Sequence, residues 1–476
     1  MHPFQELRSS PAAQPLLPLE ESNKKRTDRV RVKGSNMAEK TGNEWTALAH
    51  IITAVIGSGV LSLGWSMSQL GWIAGPIAML CFASVTLTSA LLLSNCYKST
   101  DSDLHTITHA SYLDAVHSIL GIRSAWFCGI IVGINFIKIG IVYTITSAIS
   151  IGAIQKSNCY HYEGHNATCS YSNTKYMIIF GSLQGLVSQI PDFHNTEWLS
   201  VIAAIMSFTY SFIGSGLSLA KIIDNGEIMG GIGGLPASNP SKKVWSVAQA
   251  LGNIAFAFPF SVVFLEIQHT LRAPSEKATM KKASIMAVCT TTLFYLSCGG
   301  MGYAAFGNRT PGNLLTGFGF YEPYWLVDFA NACVALHLVG GYQVFSQPLY
   351  ANVERWLREK YPECQFVHKN YILNCQHFGA FQFNFARLVF RVAYVAIITG
   401  IAILFPYFNQ VVAVAGSVNF WPIVVYFPVE MYLKQKNIEF WTTQKIVLRA
   451  YTYICLVIIL FAFVGSVRGL ILARSR

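Results

Sequence analysis

The chain has 476 residues, 53% hydrophobic and 12% charged, with a mean hydropathy of +0.41. Soluble domains carry roughly 25% charged residues, so a water-soluble enzyme is excluded, and 31 Phe, 22 Tyr and 10 Trp exclude a chain that stays unfolded. The net charge of +11 gathers between apolar runs and in the N-terminal tail, which fits the cytoplasmic loops of a membrane protein and not a nucleic-acid partner.

Residues 1–45 form a polar tail made basic by Lys24, Lys25, Arg26, Arg29, Arg31 and Lys33, with Pro3, Pro11, Pro15 and Pro18 interrupting it. The tail is expected to be cytosolic and disordered. No secretory signal peptide precedes the first apolar run, so the first span is expected to act as its own insertion signal. Beyond the tail, eleven apolar runs read as transmembrane helices: 46–70, 72–97, 124–155, 176–190, 197–221, 244–268, 281–305, 324–351, 385–405, 407–432 and 444–472. The fold class is therefore an all-α polytopic membrane protein, expected to be monomeric in the lipid. Residues 101–121 have Tyr112, Leu113, Val116 and Leu120 at helical spacing, predicting an amphipathic helix on the inner membrane surface. The Gly-rich stretch 225–240 is expected to be a flexible outer loop.

Charge sets the orientation. With the N-terminus inside, 24 of the 34 Lys and Arg fall on inner segments and nine on outer ones, with Lys138 left inside a span. The N-terminus is thus expected in the cytoplasm and the C-terminus outside. The outer loop 156–175 agrees, because it holds Cys159, Cys169 and the sequon Asn166-Ala167-Thr168. A disulfide and a glycan both require the non-cytosolic side. No metal-ligand spacing is present.

Two spans contain helix breakers at their middles. The first has Ile56-Gly57-Ser58-Gly59 and the sixth has Phe256-Ala257-Phe258-Pro259. A break facing lipid would strand backbone polar groups, so it is tolerated only where it lines a cavity. The two lie five spans apart in the order of the chain, an odd offset, so the halves are inverted. Interrupted helices in corresponding positions of inverted repeats point to a secondary-transporter binding site. Half-helix N-termini attract a carboxylate and freed carbonyls suit an ammonium group, which together match an amino acid. Ile56, Gly57, Ser58, Gly59, Phe256, Ala257 and Phe258 are the candidate contacts, with Asn253 one turn before them.

The run from Ala49 to Leu63, Ser188-Gln189-Ile190-Pro191-Asp192-Phe193, Met206-Ser207-Phe208-Thr209-Tyr210, Gly302-Tyr303-Ala304-Ala305-Phe306-Gly307 and the stretch from Pro311 to Pro348 resemble plant amino acid permeases of the amino acid/auxin permease superfamily. The similarity covers about residues 41–470. It implies a LeuT-like fold, with a first inverted repeat over 46–221, a second over 244–432 and an eleventh helix at 444–472. It also implies plasma-membrane, proton-coupled import of neutral or broad-range amino acids, with the proton as coupling ion and no cofactor.

Ionisable residues inside lipid are functional candidates because inserting them is costly. His50 lies about 10 Å toward the inside from Gly57 at the helical rise, and His337 sits near the middle of the eighth span. Histidine titrates in the range of an acidified exterior, and the resemblance links the His50 position to proton coupling. Lys138 is a departure, since similar permeases usually carry a small residue there, and Phe258 is another, where many have tyrosine. These departures leave open an alternative: a sensor that keeps the transporter fold but moves little substrate. A membrane enzyme is disfavoured, although His109 and Asp114 match a short acyltransferase pattern.

Overall fold

A computed structural model describes residues 40–100, 106–164, 166–190, 197–319, 322–375, 379–439 and 441–475. The chain divides into Met1–Thr41 and Gly42–Arg476. Nearly all of the basic tail expected at 1–45 lies outside the described residues.

Among the described residues the second unit is mainly helical, with two short antiparallel hairpins. Helix α1, Glu44–Val55, opens on a capping box in which Asn43 and Thr46 satisfy one another's backbone donors. A 3-10 turn, Ser58–Ser62, leads into α2, Leu63–Cys96. After the hairpin β1, Lys98–Thr100, and β2, Thr106–Thr108, come α3, Tyr112–Leu120, α4, Ile122–Glu163, α5, Asn173–Val187, and α6, Glu197–Asn225. The chain continues through α7, Pro240–Ala257, α8, Ser261–His269, α9, Glu276–Phe306, α10, Tyr324–Lys360, and the single turn α11, Gln365–His368. A second hairpin, β3, Asn370–Cys375, with β4, Gly379–Asn384, precedes α12, Phe385–Leu404, α13, Phe408–Phe420, α14, Phe427–Gln435, and α15, Thr443–Arg474. A π turn over Trp421–Tyr426 joins α13 to α14, where Pro422 removes a backbone donor and loosens the helical ladder.

Among the described residues, eight helical stretches are long and apolar enough to cross a membrane. Three predicted spans fall short of that standard for different reasons. The first is cut at Val55, leaving α1 with 12 residues. The fourth corresponds to α5, with 15 residues. The eighth corresponds to α10, which is 37 residues long but carries buried Asn331, His337, Gln343 and Gln347.

The turn between the first and second predicted spans is one residue, Gly71, at φ +83° inside α2. A Cβ there would lie 2.1 Å from the Ile232 carbonyl oxygen, so both the positive φ and the backbone approach demand glycine. That approach corrects the expectation of a flexible 225–240 loop. The Met229 amide donates to the Ala304 carbonyl at 2.9 Å and the Leu235 amide to Ser68 at 2.7 Å. The Gly231 amide donates to the Tyr303 hydroxyl at 2.8 Å. Lys243 closes the segment by donating to the carbonyls of Gln69, Gly233 and Leu235. Glycine lets this backbone lie flat on its neighbours, so the composition that suggested mobility instead permits close packing.

The amphipathic helix is also shorter and deeper than expected. Residues 106–108 are a strand, and α3 starts only at Tyr112. The Tyr112 hydroxyl donates to the Ile423 carbonyl at 2.7 Å and its ring meets Phe427 edge-on, so the apolar face of α3 packs on the bundle rather than on lipid.

Ion pairs gather at one set of helix ends: Lys282 with Glu44 at 2.6 Å, Lys98 with Glu276 at 3.1 Å, Arg387 and Arg391 with Glu354, and Arg449 with Glu430. All of these belong to ends expected to face the cytosol. At the opposite end Cys159 and Cys169 are joined as a disulfide, and Asn166 is exposed on the same loop.

Candidate functional site

Both predicted breaks exist. At the first, α1 stops at Val55, Ile56 (φ −80°, ψ 95°) and Gly57 (φ −134°, ψ −151°) are extended, and the chain resumes as the 3-10 turn. At the second, α7 stops at Ala257, residues 258–260 are non-helical, and α8 resumes at Ser261. Pro259 has no N–H to continue the helix and disfavours helical geometry at Phe258. Each break leaves carbonyls at one half-helix end and amides at the next.

The breaks meet. A Cβ on Gly59 would stand 3.0 Å from the Ala257 Cα and 3.3 Å from the Phe256 ring. The Tyr295 hydroxyl, from α9, lies 2.7 Å from the Val55 carbonyl and 3.0 Å from the Ala257 carbonyl, so a single donor serves the last residue of both broken half-helices. The Phe258 ring packs edge-on against Tyr295, with centroids 5.2 Å apart.

Around this contact is a small cavity of about 70 Å³ lined by Gly57, Ser58, Gly59, Phe256 and Ala257 together with Asn135, Lys138, Tyr143 and Asn419. The Ser58 hydroxyl and the Asn419 Oδ1 are buried without a hydrogen-bond partner, and unpaired buried polar groups are costly unless a ligand or water completes them. Lys138 donates from Nζ to the Ala415 carbonyl at 2.5 Å and lies 5.8 Å from the Phe256 ring centre. Of the other candidate contacts, Ile56, Asn253 and Phe258 do not line this cavity. Asn253 is fully buried and donates from Nδ2 to Asn409 Oδ1 at 3.2 Å.

His337 and His50 are placed differently. His337 is buried, and its Nδ1 lies 2.8 Å from the Ala203 carbonyl. A carbonyl only accepts, so Nδ1 carries the proton and Nε2 presents its lone pair. That Nε2 has no partner. A Cβ on Gly57 would lie 3.7 Å from it and 3.4 Å from the Tyr143 hydroxyl. His50 is exposed. It lines a second cavity of about 360 Å³ that His337 and Glu266 also line. The two cavities share Ala54, Tyr143, Val262, Val263 and Phe345, so the wider one adjoins the central site from the end of the bundle that holds the ion pairs. A further cavity of about 670 Å³ lies toward the disulfide end, lined by Lys156, Tyr160, Asn173 and Lys221 among others.

Tyr143, Asn135 and Asn419, which line the cavity, and Tyr295, which bridges the breaks, are candidate residues that the sequence does not single out. Each lies on a helix without a breaker or charge motif of its own at that position, so only the packing identifies them. The short acyltransferase pattern is accounted for structurally: His109 Nε2 lies 2.9 Å from the Ser99 hydroxyl, and the Asp114 amide receives its cap from Ser111. Burial lowers the His109 pKa, opposed by the Asp114 carboxylate.

An apolar helical bundle in which two interrupted helices meet beside a cavity defines a polytopic membrane protein. The chain belongs to the transmembrane amino acid transporter protein family, whose profile matches residues 40–472. It is 55% identical to "Probable amino acid permease 7" of Arabidopsis thaliana, covering 92% of this chain and 95% of the relative. It is 49% identical to "Amino acid permease 2" and 48% identical to "Amino acid permease 3" of the same organism, covering 91% of this chain and 89% and 92% of those relatives. The protein is thus a multi-pass amino acid transport protein and not an enzyme.

Proposed function

We propose that the protein is a proton-coupled symporter that imports neutral or broad-range amino acids across the plasma membrane by alternating access. On this reading the eight apolar stretches, α5, α10 and the broken first helix make eleven spans. They form two inverted five-helix repeats, 46–221 and 244–432, followed by 444–472, with the N-terminus cytoplasmic and the C-terminus outside.

The observation that carries the reading is the meeting of the two breaks. Gly59 lies against Ala257 while Tyr295 holds the Val55 and Ala257 carbonyls. Half-helix N-termini at Ser58 and Ser261 bring free amides and partial positive charge, which favour the substrate carboxylate. The opposing carbonyl ends favour its ammonium. The central cavity is lined by residues of both breaks, so opening it to a substrate involves separation of the half-helices. Such separation is the gating motion of the mechanism.

His337 is the favoured proton carrier. Its Nε2 lone pair is unpartnered beside Gly57, within reach of a bound substrate, whereas His50 lies at the mouth of the wider cavity. A proton on Nε2 would create a donor at the site and couple substrate binding to acidity.

Electrophysiology on cells expressing the protein tests the reading: inward current should require amino acid and grow as the bath is acidified. Amino acid flux indifferent to pH would sink the coupling. Binding without flux would replace the symporter by a sensor.

A further inference from the structure

We propose that Lys138 makes the central site select amino acids that bring a second carboxylate, such as glutamate and aspartate, and reject those with a cationic side chain. The proposal rests on the transport reading above and names a substrate class for the same site.

Lys138 is the one side chain with a formal charge among those lining the central cavity. Its Nζ donates to the Ala415 carbonyl, which occupies one of three N–H groups and leaves two for a ligand. The ion pairs of the protein lie at the helix ends, and no carboxylate pairs with Lys138 among the described residues. An ammonium held away from water without a counter-charge is costly, and an arriving carboxylate removes that cost.

The placement suits a side chain rather than the backbone end of a substrate. The Phe256 ring touches the position of a Gly59 Cβ and also lies beneath the Lys138 ammonium. Lys138 is thus one aromatic ring away from the break where the half-helix amides favour the α-carboxylate. A dicarboxylic amino acid fits both positions at once. Asn419 Oδ1 and the Ser58 hydroxyl, both buried and unpartnered, complete a polar lining. A substrate ammonium placed there would face Lys138 across a small cavity of low dielectric, a repulsion that lowers affinity by tenfold or more, at roughly the separations involved.

The test is uptake of radiolabelled glutamate, glutamine and lysine by the full-length protein, with surface amounts measured, for wild type, Lys138→Met and Lys138→Gln. Glutamate and glutamine differ little in shape, so their ratio isolates charge. Wild type should carry glutamate at least as well as glutamine and carry lysine about tenfold less well. In both variants the glutamate-to-glutamine ratio should fall about tenfold and lysine uptake should rise. A ratio unchanged within about twofold, expected if Lys138 only braces α13 through Ala415, overturns the proposal. So does wild-type uptake of lysine equal to that of glutamate, a result independent of whether the variants fold. Lys138→Arg keeps the charge and should keep the wild-type order of substrates. Wild type that carries glutamine but discriminates nothing overturns this proposal alone, whereas wild type that carries none of the three overturns the transport reading and this proposal with it.

Discussion

The free Nε2 of His337 faces Gly57: a methyl group added to that glycine would sit 3.7 Å from the nitrogen. The partner ring atom, Nδ1, is already committed to the Ala203 carbonyl at 2.8 Å. One nitrogen therefore sets the tautomer while the other offers a proton-accepting lone pair at the break in the first helix.

Replacing His337 with Gln should abolish the increase of current on acidification while leaving substrate binding measurable, because glutamine offers no titrating group. His50→Gln should affect entry more than coupling. Recording current against pH for both variants separates the roles, and full acid stimulation in His337→Gln would reassign the proton.

Tyr295→Phe removes the one hydroxyl that donates to the terminal carbonyls of both half-helices. Losing a buried hydrogen bond costs about 1–3 kcal/mol, so transport efficiency should fall by roughly tenfold or more at unchanged surface expression. Unaltered uptake kinetics would show that the bridge is dispensable.

The two glycines of the first break should respond differently to alanine. At Gly57 a Cβ meets its nearest neighbours at 3.4 and 3.7 Å, ordinary contacts, whereas at Gly59 it meets Ala257 Cα at 3.0 Å. Gly57→Ala should retain most uptake and Gly59→Ala should lose most of it, by forcing the halves apart. Gly57→Val, with its branched side chain beside Tyr143 and His337, should block uptake. Equal activity of Gly57→Ala and Gly59→Ala would contradict the packing.

Gly71→Ala combines a positive φ with a 2.1 Å approach to the Ile232 carbonyl. Misfolding and loss of surface protein are expected, since two backbones would have to part. Quantifying surface-exposed protein by biotinylation decides the matter.

The exposed Asn166 on the disulfide-closed loop predicts a glycosidase-sensitive mobility shift that Asn166→Gln abolishes. The shift also tests topology: glycosylation happens only on the outer side, and a glycosylated loop there would place the N-terminus on the inner side. Absence of any shift in cells that glycosylate would contradict this orientation.

Hydrophobic run lengths and the positions of Gly57, Gly59, Pro259 and the loop cysteines were enough to reveal the membrane class, the helical segments and the two breaks. They are local properties: apolar stretches must be helical in lipid because every backbone polar group needs an internal partner, and proline or paired glycines end helices wherever they fall. What local chemistry could not reveal is which distant atoms close around those breaks. Tyr295, Tyr143, Asn135 and Asn419 carry no breaker, charge or motif, and they enter the site only because α4, α9 and α13 pack beside α1 and α7. The same holds for the 225–240 segment, whose glycines indicate either mobility or close contact until Gly71 and Tyr303 are seen against it. It holds too for Lys138, a costly charge in a linear reading, whose facing carbonyl and ring come from residues more than a hundred positions away along the chain. Secondary structure follows from satisfying each residue's own backbone, whereas a binding site arises from side chains that only three-dimensional packing makes neighbours.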